Sequence, residues 1–123
     1  MAILERMGAK FQIDLRESGG EPLGDITVQG RANLKGVDVG GELIAQFIDE
    51  IPILAVVATQ AKGVTVLRGL SELRLKETDR VKAVAGNLAA MGARVTETAD
   101  SLTIEGPCRL RGAVVDSFDD HRI

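Results

Sequence analysis

The sequence predicts a mixed α/β (α+β) domain built from two tandem copies of one unit. The spacing of apolar residues alternates along the chain between the helical period of about 3.6 residues and the strand period of two. A stretch near the start, ILERMGAKFQI, is echoed by NLAAMGARVTE from Asn87 to Glu97. The composition, with 45% hydrophobic residues, 27% charged residues and a net charge of −3, is that of an ordinary globular domain.

The echo continues through the rest of the chain. Three further pairs of stretches match: DITVQG at Asp25–Gly30 with SLTIEG at Ser101–Gly106, LKGVDV at Leu34–Val39 with LRGAVV at Leu110–Val115, and FIDEIPI from Phe47 with SFDDHRI from Ser117. Four matches in the same order are better explained by two copies of one supersecondary unit than by chance.

This repeat predicts the domain organisation. We expect a single partial domain over residues 1–123, with repeat units at approximately 1–72 and 73–123. The chain opens in what reads as the last turns of a helix and stops at DDHRI, where a new helix is expected to start. We therefore interpret the chain as a piece truncated at both ends.

In the first copy, stretches rich in β-branched residues predict three strands: Phe11–Leu15, Asp25–Gln29 and Val37–Val39. Between the copies, IPILAVVATQAKG predicts a helix, because Pro52 suits a first helical turn and Gly63 suits the stop. Since this helix is apolar on nearly every side, we expect it to be central and buried. The strand Val64–Leu67 follows it.

The second copy begins with an amphipathic helix. Val81, Val84, Ala85 and Leu88 have the i, i+3, i+4, i+7 spacing of a helix with one buried face, and Gly92 is placed to cap it. Three strands are then predicted: Val95–Thr98, Leu102–Ile104 and Ala113–Val115. The resulting order of helix, strands, helix, strand, helix and strands is typical of an α/β or α+β domain.

The composition argues against nucleic-acid and membrane partners. The chain has three Phe, no Tyr and no Trp, and it is acidic, so it lacks the basic surface with stacking aromatics that nucleic acids require. The longest apolar run, Ile51–Ala58, is too short to span a bilayer. The single cysteine, Cys108, cannot form an internal disulfide, and we expect it to be a partly buried small side chain in a cytoplasmic protein.

Three presumed helix starts carry charged side chains. These are Asp49–Pro52, Lys76–Arg80 and Asp119–Arg122. The unpaired N–H groups of a helix start favour phosphate and carboxylate groups. Equivalent points of a repeat can meet at one surface, so we predict a site for a small molecule with more than one anionic group. The candidate residues are Asp49, Lys76, Glu77, Arg80, His121 and Arg122.

The alternative is that the charged residues at each helix start are solvent-exposed caps that form ordinary salt bridges. Glu72 would then face Lys76 at i, i+4, and Asp79 would serve the helix N-terminus. For any one start taken alone, this interpretation is the more economical. Other chemistries find no support, because the sequence has no metal-ligand spacing of Cys or His, no Gly-rich phosphate loop and no Gly-x-Ser-x-Gly elbow.

Four motifs in order carry a family resemblance: DEIPILA at Asp49–Ala55, LRLKETDR at Leu73–Arg80, LAAMGARV at Leu88–Val95 and DDHRI at Asp119–Ile123. Together they closely resemble the 5-enolpyruvylshikimate-3-phosphate synthases of the enolpyruvyl transferase family. The resemblance implies an inside-out α/β barrel fold, in which two similar domains each contain three βαβαββ units and helix N-termini point at the cleft between the domains. It implies that this chain is an incomplete part of the C-terminal domain.

The resemblance also implies an activity, namely transfer of the enolpyruvyl group of phosphoenolpyruvate to the 5-hydroxyl of shikimate 3-phosphate, with release of phosphate and without metal or organic cofactor. Asp49 would bind the shikimate hydroxyls and accept the 5-hydroxyl proton. Lys76 would contact the reacting hydroxyl or phosphoenolpyruvate, and Glu77 would exchange a proton with the methylene carbon. Arg80 and Arg122 would clamp the anionic groups, supported by His121.

Two features depart from the family. Glu72 stands where one branch has an Asn that helps to hold shikimate phosphate, and the N-terminal domain is absent from the chain. We therefore expect the chain alone to be inactive, and its exposed repeat faces to favour self-association. The alternatives are a UDP-N-acetylglucosamine enolpyruvyl transferase, whose reactive-cysteine loop differs in setting from Cys108, and a non-catalytic anion-binding or structural domain.

Overall fold

The structure, a computed structural model, describes residues 2–18, 20–30 and 33–123. The α-helices are α1 (Ala2–Arg6), α2 (Glu42–Gln46), α3 (Ile51–Ala58) and α4 (Arg80–Ala90). The strands are β1 (Phe11–Ser18), β2 (Glu21–Val28), β3 (Asp38–Val39), β4 (Gly63–Arg68), β5 (Arg94–Glu97) and β6 (Ser101–Gly106). Short 3-10 turns at Ile48–Glu50 and Ser71–Leu75 precede α3 and α4. The predicted α/β class and all strands before residue 107 are thereby confirmed.

A four-stranded sheet with the order β3-β4-β6-β5 forms the centre of the fold. Strand β3 pairs in parallel with β4, and the β4–β6 and β6–β5 pairs are antiparallel. With α3 between β3 and β4 and α4 between β4 and β5, residues 38–106 follow the order βαβαββ. This places the ends of the two longer helices beside the same sheet.

The core lies between this sheet and helices α3 and α4. Leu102 and Ile104 on β6, together with Leu67 on β4, are fully buried. Val81 and Leu88 of α4 pack in the same cluster, and Ala83, Val84 and Ala85 of that helix are also buried. The amphipathic spacing predicted for α4 therefore identifies its buried face correctly.

The matching halves of the sequence share local structure. Strands β1 and β2 form a two-stranded antiparallel sheet in which Phe11 faces Val28, and the equivalent residues Val95 and Ile104 face each other in the β5–β6 pair. The backbone N–H of Lys35 donates to the Met7 carbonyl at 2.9 Å, as that of Arg111 does to Met91 at 2.8 Å.

Both α1 and α4 end in the same glycine cap. Ala9 N–H bonds to the Leu4 carbonyl and Gly8 N–H to the Glu5 carbonyl, and the same two bonds recur from Ala93 to Leu88 and from Gly92 to Ala89. Gly8 and Gly92 have φ of +89° and +93°, which glycine adopts without steric cost. These are Schellman caps, as the predicted role of Gly92 requires.

Helix α3 differs from the prediction in two ways. Its inner face, with Ile51, Ala55 and Ala58, is buried, but Ile53 is 62% exposed and Val56 is 40% exposed, so the helix is not enclosed on all sides. An apolar helix is buried all round only when other elements cover each face, and in the described residues only one face is covered. The helix also ends at Ala58, and Gly63 instead opens β4 with φ of +100°.

The predicted strand Ala113–Val115 is wrong. These residues have no regular secondary structure, and Val114 is fully exposed. The matching residues near Val39 form β3 because β4 lies beside them, whereas no described strand lies beside residues 113–115. A strand requires a ladder partner for its N–H and C=O groups. Just after this stretch, the Asn87 Nδ2 donates to the Asp116 carbonyl at 2.8 Å.

Helix α2 and Cys108 are two smaller features of the fold. Helix α2 was not predicted, because its five residues are too few to establish a period. Cys108 is buried, as expected, and its thiol donates to the Glu105 carbonyl at 2.9 Å. Among the described residues, no helix has both the length and the apolar character needed to cross a bilayer.

Candidate active site before helix α4

Lys76 and Glu77 lie in an irregular segment before α4, not on its first turn as predicted. The 3-10 turn ends at Leu75, and α4 begins at Arg80 with Asp79 as its N-cap. The Asp79 side chain accepts the backbone N–H of Lys82 at 3.0 Å, which is the predicted capping contact. Because Asp79 takes the cap position, the helix starts four residues later than Lys76, and residues 76–79 are free to depart from helical geometry.

Arg80 is the centre of the site. Its side chain is only 2% exposed, and its guanidinium contacts three carboxylates. Nε and Nη2 donate to the two oxygens of Asp120 at 2.7 and 3.0 Å, Nη1 donates to Asp49 at 3.1 Å, and Nη2 also donates to Glu77 at 2.8 Å. Four of its five N–H groups are therefore used within the protein.

Asp120 is the residue that the sequence did not single out. It lies in a turn closed by a bond from its own N–H to the Ser117 carbonyl at 2.9 Å and by one from Ile123 N–H to its carbonyl at 3.1 Å. Both are i to i+3 bonds, so the helix start predicted at residues 119–122 is a turn instead. Phe118 and Asp119, which precede it, have φ of +54° and +52°. The adjacent Asp119 and Asp120 in DDHRI are the sequence feature that could have pointed to this buried carboxylate.

The ion pair between Arg80 and Asp120 shifts both groups toward their charged forms. The hydrogen bonds from Arg80 lower the pKa of Asp120, against the effect of its burial, and a backbone N–H from Arg122 at 2.9 Å contributes. The bonds to Asp120 likewise raise the pKa of Arg80. A buried bidentate pair of this kind fixes the orientation of the guanidinium plane.

Asp49 and Lys76 meet beside this centre. Asp49 lies in the 3-10 turn that leads into α3, and its Oδ1 is 3.6 Å from Lys76 Nζ as well as 3.1 Å from Arg80. Lys76 also contacts Glu72 at 3.2 Å, as predicted for an i, i+4 pair. The hydrogen bond to Glu72, followed by the charge of Asp49, raises the pKa of Lys76.

The remaining predicted residues lie at the edge of the site. Arg122 Nη1 is 3.4 Å from the Glu50 carboxylate, next to Asp49 in the chain, and its side chain is 40% exposed. His121 is 71% exposed, and its Nδ1 is 3.9 Å from the nearest oxygen of Asp120. The structure therefore brings Asp49, Lys76, Glu77 and Arg80 into direct contact, links Arg122 through Asp120, and leaves His121 facing outward.

This arrangement has an excess of carboxylates around its cations. Five carboxylates face three cations, namely Asp49, Glu50, Glu72, Glu77 and Asp120 against Lys76, Arg80 and Arg122. An anionic ligand would have to compete with these carboxylates for the cations. In the described part of the chain, no three His, Cys, Asp or Glu side chains converge as a metal-binding group would.

Comparison with known sequences places the chain in one family. The family model for EPSP synthase (3-phosphoshikimate 1-carboxyvinyltransferase) matches residues 1–123. A 3-phosphoshikimate 1-carboxyvinyltransferase of Thermodesulfovibrio yellowstonii is 49% identical over 122 residues, and one of Geobacter sulfurreducens is 51% identical over 122 residues. Each alignment covers 98% of this chain, which spans about 28% of the length of these curated relatives.

Solved structures agree with the sequence comparison. An EPSP synthase from Acinetobacter baumannii superposes with a TM-score of 0.88 at 39% identity, covering 98% of this chain and 29% of the other. The enolpyruvyl transferase NikO from Streptomyces tendae superposes with a TM-score of 0.62 at 26% identity, covering 90% and 22% of the two chains. The chain belongs to the EPSP synthase (3-phosphoshikimate 1-carboxyvinyltransferase) family and contains a partial enolpyruvyl transferase fold.

Proposed function

We propose that this chain carries part of the active site of an enzyme that transfers the enolpyruvyl group of phosphoenolpyruvate to the 5-hydroxyl of shikimate 3-phosphate and releases phosphate. The main support is the ionic contact that links Asp49, Lys76, Glu77 and Arg80, which come from the turn before α3 and from the segment that leads into α4, in a chain of this family. Such a cluster places acids and bases where a proton can be moved.

Asp49, Lys76 and Glu77 are the proposed catalytic residues. Asp49 binds the shikimate hydroxyls and accepts the proton of the 5-hydroxyl, and Lys76 contacts that hydroxyl or phosphoenolpyruvate. Glu77 exchanges a proton with the methylene carbon of phosphoenolpyruvate. The support is accessibility, since the side chains of Asp49 and Glu77 are 41% and 59% exposed while each holds a contact to the buried Arg80.

Arg80, Arg122 and His121 are the proposed anion-binding residues. Arg122 is accessible and holds its carboxylate partner loosely, which suits a residue that exchanges Glu50 for a ligand. Arg80 reaches the ligand when one of its exposed partners, Glu77 or Asp49, turns away from it, because its bonds to Asp120 are buried. His121 stands beside this pair and faces outward.

The rest of the enzyme supplies what the chain lacks. We propose that an N-terminal domain of the same protein closes over this surface and binds the phosphate of shikimate 3-phosphate. We also propose that residues 1–72 and 73–123 are the two repeat units, supported by the shared caps and strand register, and that the enzyme is cytoplasmic, in keeping with the lone thiol of Cys108.

The first test uses the intact protein that contains this chain. Phosphoenolpyruvate and shikimate 3-phosphate together should release phosphate, and Lys76→Met should lower kcat by about 10²–10⁴-fold because a charged group at the reacting hydroxyl is lost. Lys62→Met is the matched control, since Lys62 precedes β4 and Lys76 follows the other end of that strand. We expect the control to retain kcat within about twofold, as for a surface change.

Two results would redirect the proposal. Phosphate release that depends on a UDP-sugar, and that shikimate 3-phosphate does not compete with, would favour a UDP-N-acetylglucosamine enolpyruvyl transferase. Binding of anions without turnover by the intact protein would favour a non-catalytic anion-binding domain. The 123-residue chain alone is expected to release no phosphate, because half of the cleft is supplied by the other domain.

A further inference from the structure

The segment that carries Lys76 and Glu77 has no regular hydrogen bonding of its own. It leaves the 3-10 turn with Lys76 extended, at φ −76° and ψ −165°, and reaches the helix N-cap at Asp79 with φ −69° and ψ +89°. In the described chain, no backbone bond from residues 76–78 to another element is present. A catalytic pair on such a segment requires support from elsewhere, since reacting groups must be held to within a fraction of an ångström.

We infer that Arg74 is a positioning residue for Lys76 and Glu77. Its guanidinium bonds to Asp79 across the segment that carries them, and it also joins that segment to the turn between β5 and β6. The inference deepens the proposed function and rests on it, since Lys76 and Glu77 are the groups that touch the substrates there.

A side-chain hydrogen bond spans the segment from Arg74 to Asp79, five residues later. Arg74 Nη1 donates to Asp79 Oδ2 at 2.8 Å, while Asp79 Oδ1 accepts the backbone N–H of Lys82 at 3.0 Å. The Asp79 carboxylate thus joins Arg74, two residues before Lys76, to the first turn of α4. The span between Arg74 and Asp79 is fixed at both ends, and the two catalytic residues lie inside it.

The anchor is the β5–β6 turn. Arg74 Nε donates to the Ala99 carbonyl at 2.8 Å, and Nη2 donates to Glu97 at 3.0 Å and to the Thr98 carbonyl. The turn is itself held by the Thr98 N–H bond to the Ser101 carbonyl at 2.9 Å and by the contact of their hydroxyls at 2.6 Å. Arg74 therefore joins the segment to a turn of the sheet that is held by hydrogen bonds of its own.

Arg74 and Arg80 hold different parts of the site in place. Arg80 orients the side chains of Asp49, Glu77 and Asp120, whereas Arg74 holds the backbone from which Lys76 and Glu77 extend. Like Arg80, Arg74 uses four of its five N–H groups inside the protein, and its side chain is 24% exposed. Lysine offers one nitrogen and cannot reproduce this planar set of bonds.

The experiment compares Arg74→Gln with the unchanged intact protein by NMR relaxation of the backbone amides and by steady-state kinetics. The order parameters of residues 76–78 should fall from about 0.85 to below about 0.6, while those of residues 83–88 inside α4 stay the same. kcat should fall about 10–100-fold with KM for both substrates nearly unchanged, because displacement of catalytic groups by about 1 Å acts mainly on the chemical step. Arg74→Lys should restore only part of kcat.

Arg68→Gln is the matched control. Arg68 forms a bidentate pair with Asp38 at 2.8 Å on the surface between β3 and β4, so its loss removes an arginine–carboxylate pair without touching the segment. We expect no change in the order parameters at 76–78 and kcat within about twofold of the unchanged protein.

Order parameters at 76–78 that do not change in Arg74→Gln would overturn the inference whatever the activity. Order parameters that fall equally throughout α4 and the sheet would also overturn it, because Arg74 would then act on the whole fold. Lower order parameters at 76–78 with an unchanged kcat would overturn the catalytic part. If the unchanged protein has no enolpyruvyl transfer activity, the proposed function fails, and the relaxation data still decide whether Arg74 holds the segment.

Discussion

At the scale of single residues, the buried pair of Arg80 and Asp120 determines how the site is built. Removing two charges from water is unfavourable, and mutual attraction offsets this only when the geometry is good and the remaining donors and acceptors are bonded. Here Asp120 accepts from Nε and Nη2 of Arg80 and from the backbone N–H of Arg122, and Arg80 also contacts Asp49 and Glu77. The turn at residues 117–123 is thereby attached to the start of α4.

Asp120→Asn should lower the stability of the chain and change its dependence on pH. The pKa of Asp120 is lowered in the folded state by the hydrogen bonds from Arg80, so below the unfolded pKa of about 3.9 the unfolded chain binds the proton more readily. The stability that this carboxylate contributes is present above that pH and is lost as the pH falls through the lowered folded pKa.

The measurement is the melting temperature between pH 2 and 7, in steps of about half a unit. Asp120→Asn should lower the melting temperature by several degrees at pH 7 and flatten its decline at acid pH. Asp14→Asn, a change of an exposed carboxylate on β1, should leave both features in place. An unchanged acid slope in Asp120→Asn would mean that another carboxylate carries the effect.

At the scale of elements, helix α4 connects the core to the site. Its inner face is buried against β5 and β6, and its first residue is Arg80. The N-cap Asp79 and the C-terminal cap at Gly92 set where the helix begins and ends, so they also set where Arg80 stands relative to Asp120. Helix ends matter here because the charged residues lie at one of them.

Two glycines near α4 give opposite predictions for the same change. Gly92→Ala should destabilise the chain by about 1–2 kcal/mol, because a residue with a Cβ is strained at φ of +93°. Gly86→Ala should stabilise it by about 0.5–1 kcal/mol, because Gly86 lies exposed in the helix with free space around a new Cβ. Urea unfolding of both variants measures the difference, and equal effects would contradict the cap assignment.

At the scale of the whole molecule, one face of the β1–β2 hairpin is not covered by any other residue that the structure describes. Ile26 and Val28 are 60% and 67% exposed, whereas their counterparts Leu102 and Ile104 are fully buried under α3 and α4. Ile13 and Leu15 of β1 are also exposed. An apolar strand face with free edges favours association with another chain.

We therefore expect the 123-residue chain to self-associate through this face. Ile26→Lys should raise the dissociation constant of the association about tenfold or more, because an apolar side chain of this size contributes roughly 1.5–3 kcal/mol when buried. Thr27→Lys places the same charge on the opposite face of β2 and should leave association unchanged. Sedimentation velocity over a range of concentrations distinguishes the two, and an equal effect would place the contact elsewhere.

The sequence by itself determined the features that depend on neighbours along the chain. The period of Val81, Val84 and Leu88 identified the buried face of α4, and Gly92 marked its cap, because both are consequences of local backbone geometry. The strands before residue 107 were predicted from their β-branched residues and from the turn residues that separate them. The residue types in KETDR also pointed to Lys76, Glu77 and Arg80 as charged side chains that gather beside Asp49, whereas DDHRI did not reveal which of its residues would pair with Arg80.

Only the tertiary structure decided the features that depend on distant partners. Residues 113–115 are not a strand because no described strand lies beside them, and α3 is exposed at Ile53 and Val56 because no described element covers that side. Asp120 became the central partner of Arg80 because a turn 40 residues away folds onto the start of α4. Pairing and burial depend on groups far apart in sequence, and a local pattern does not contain that information.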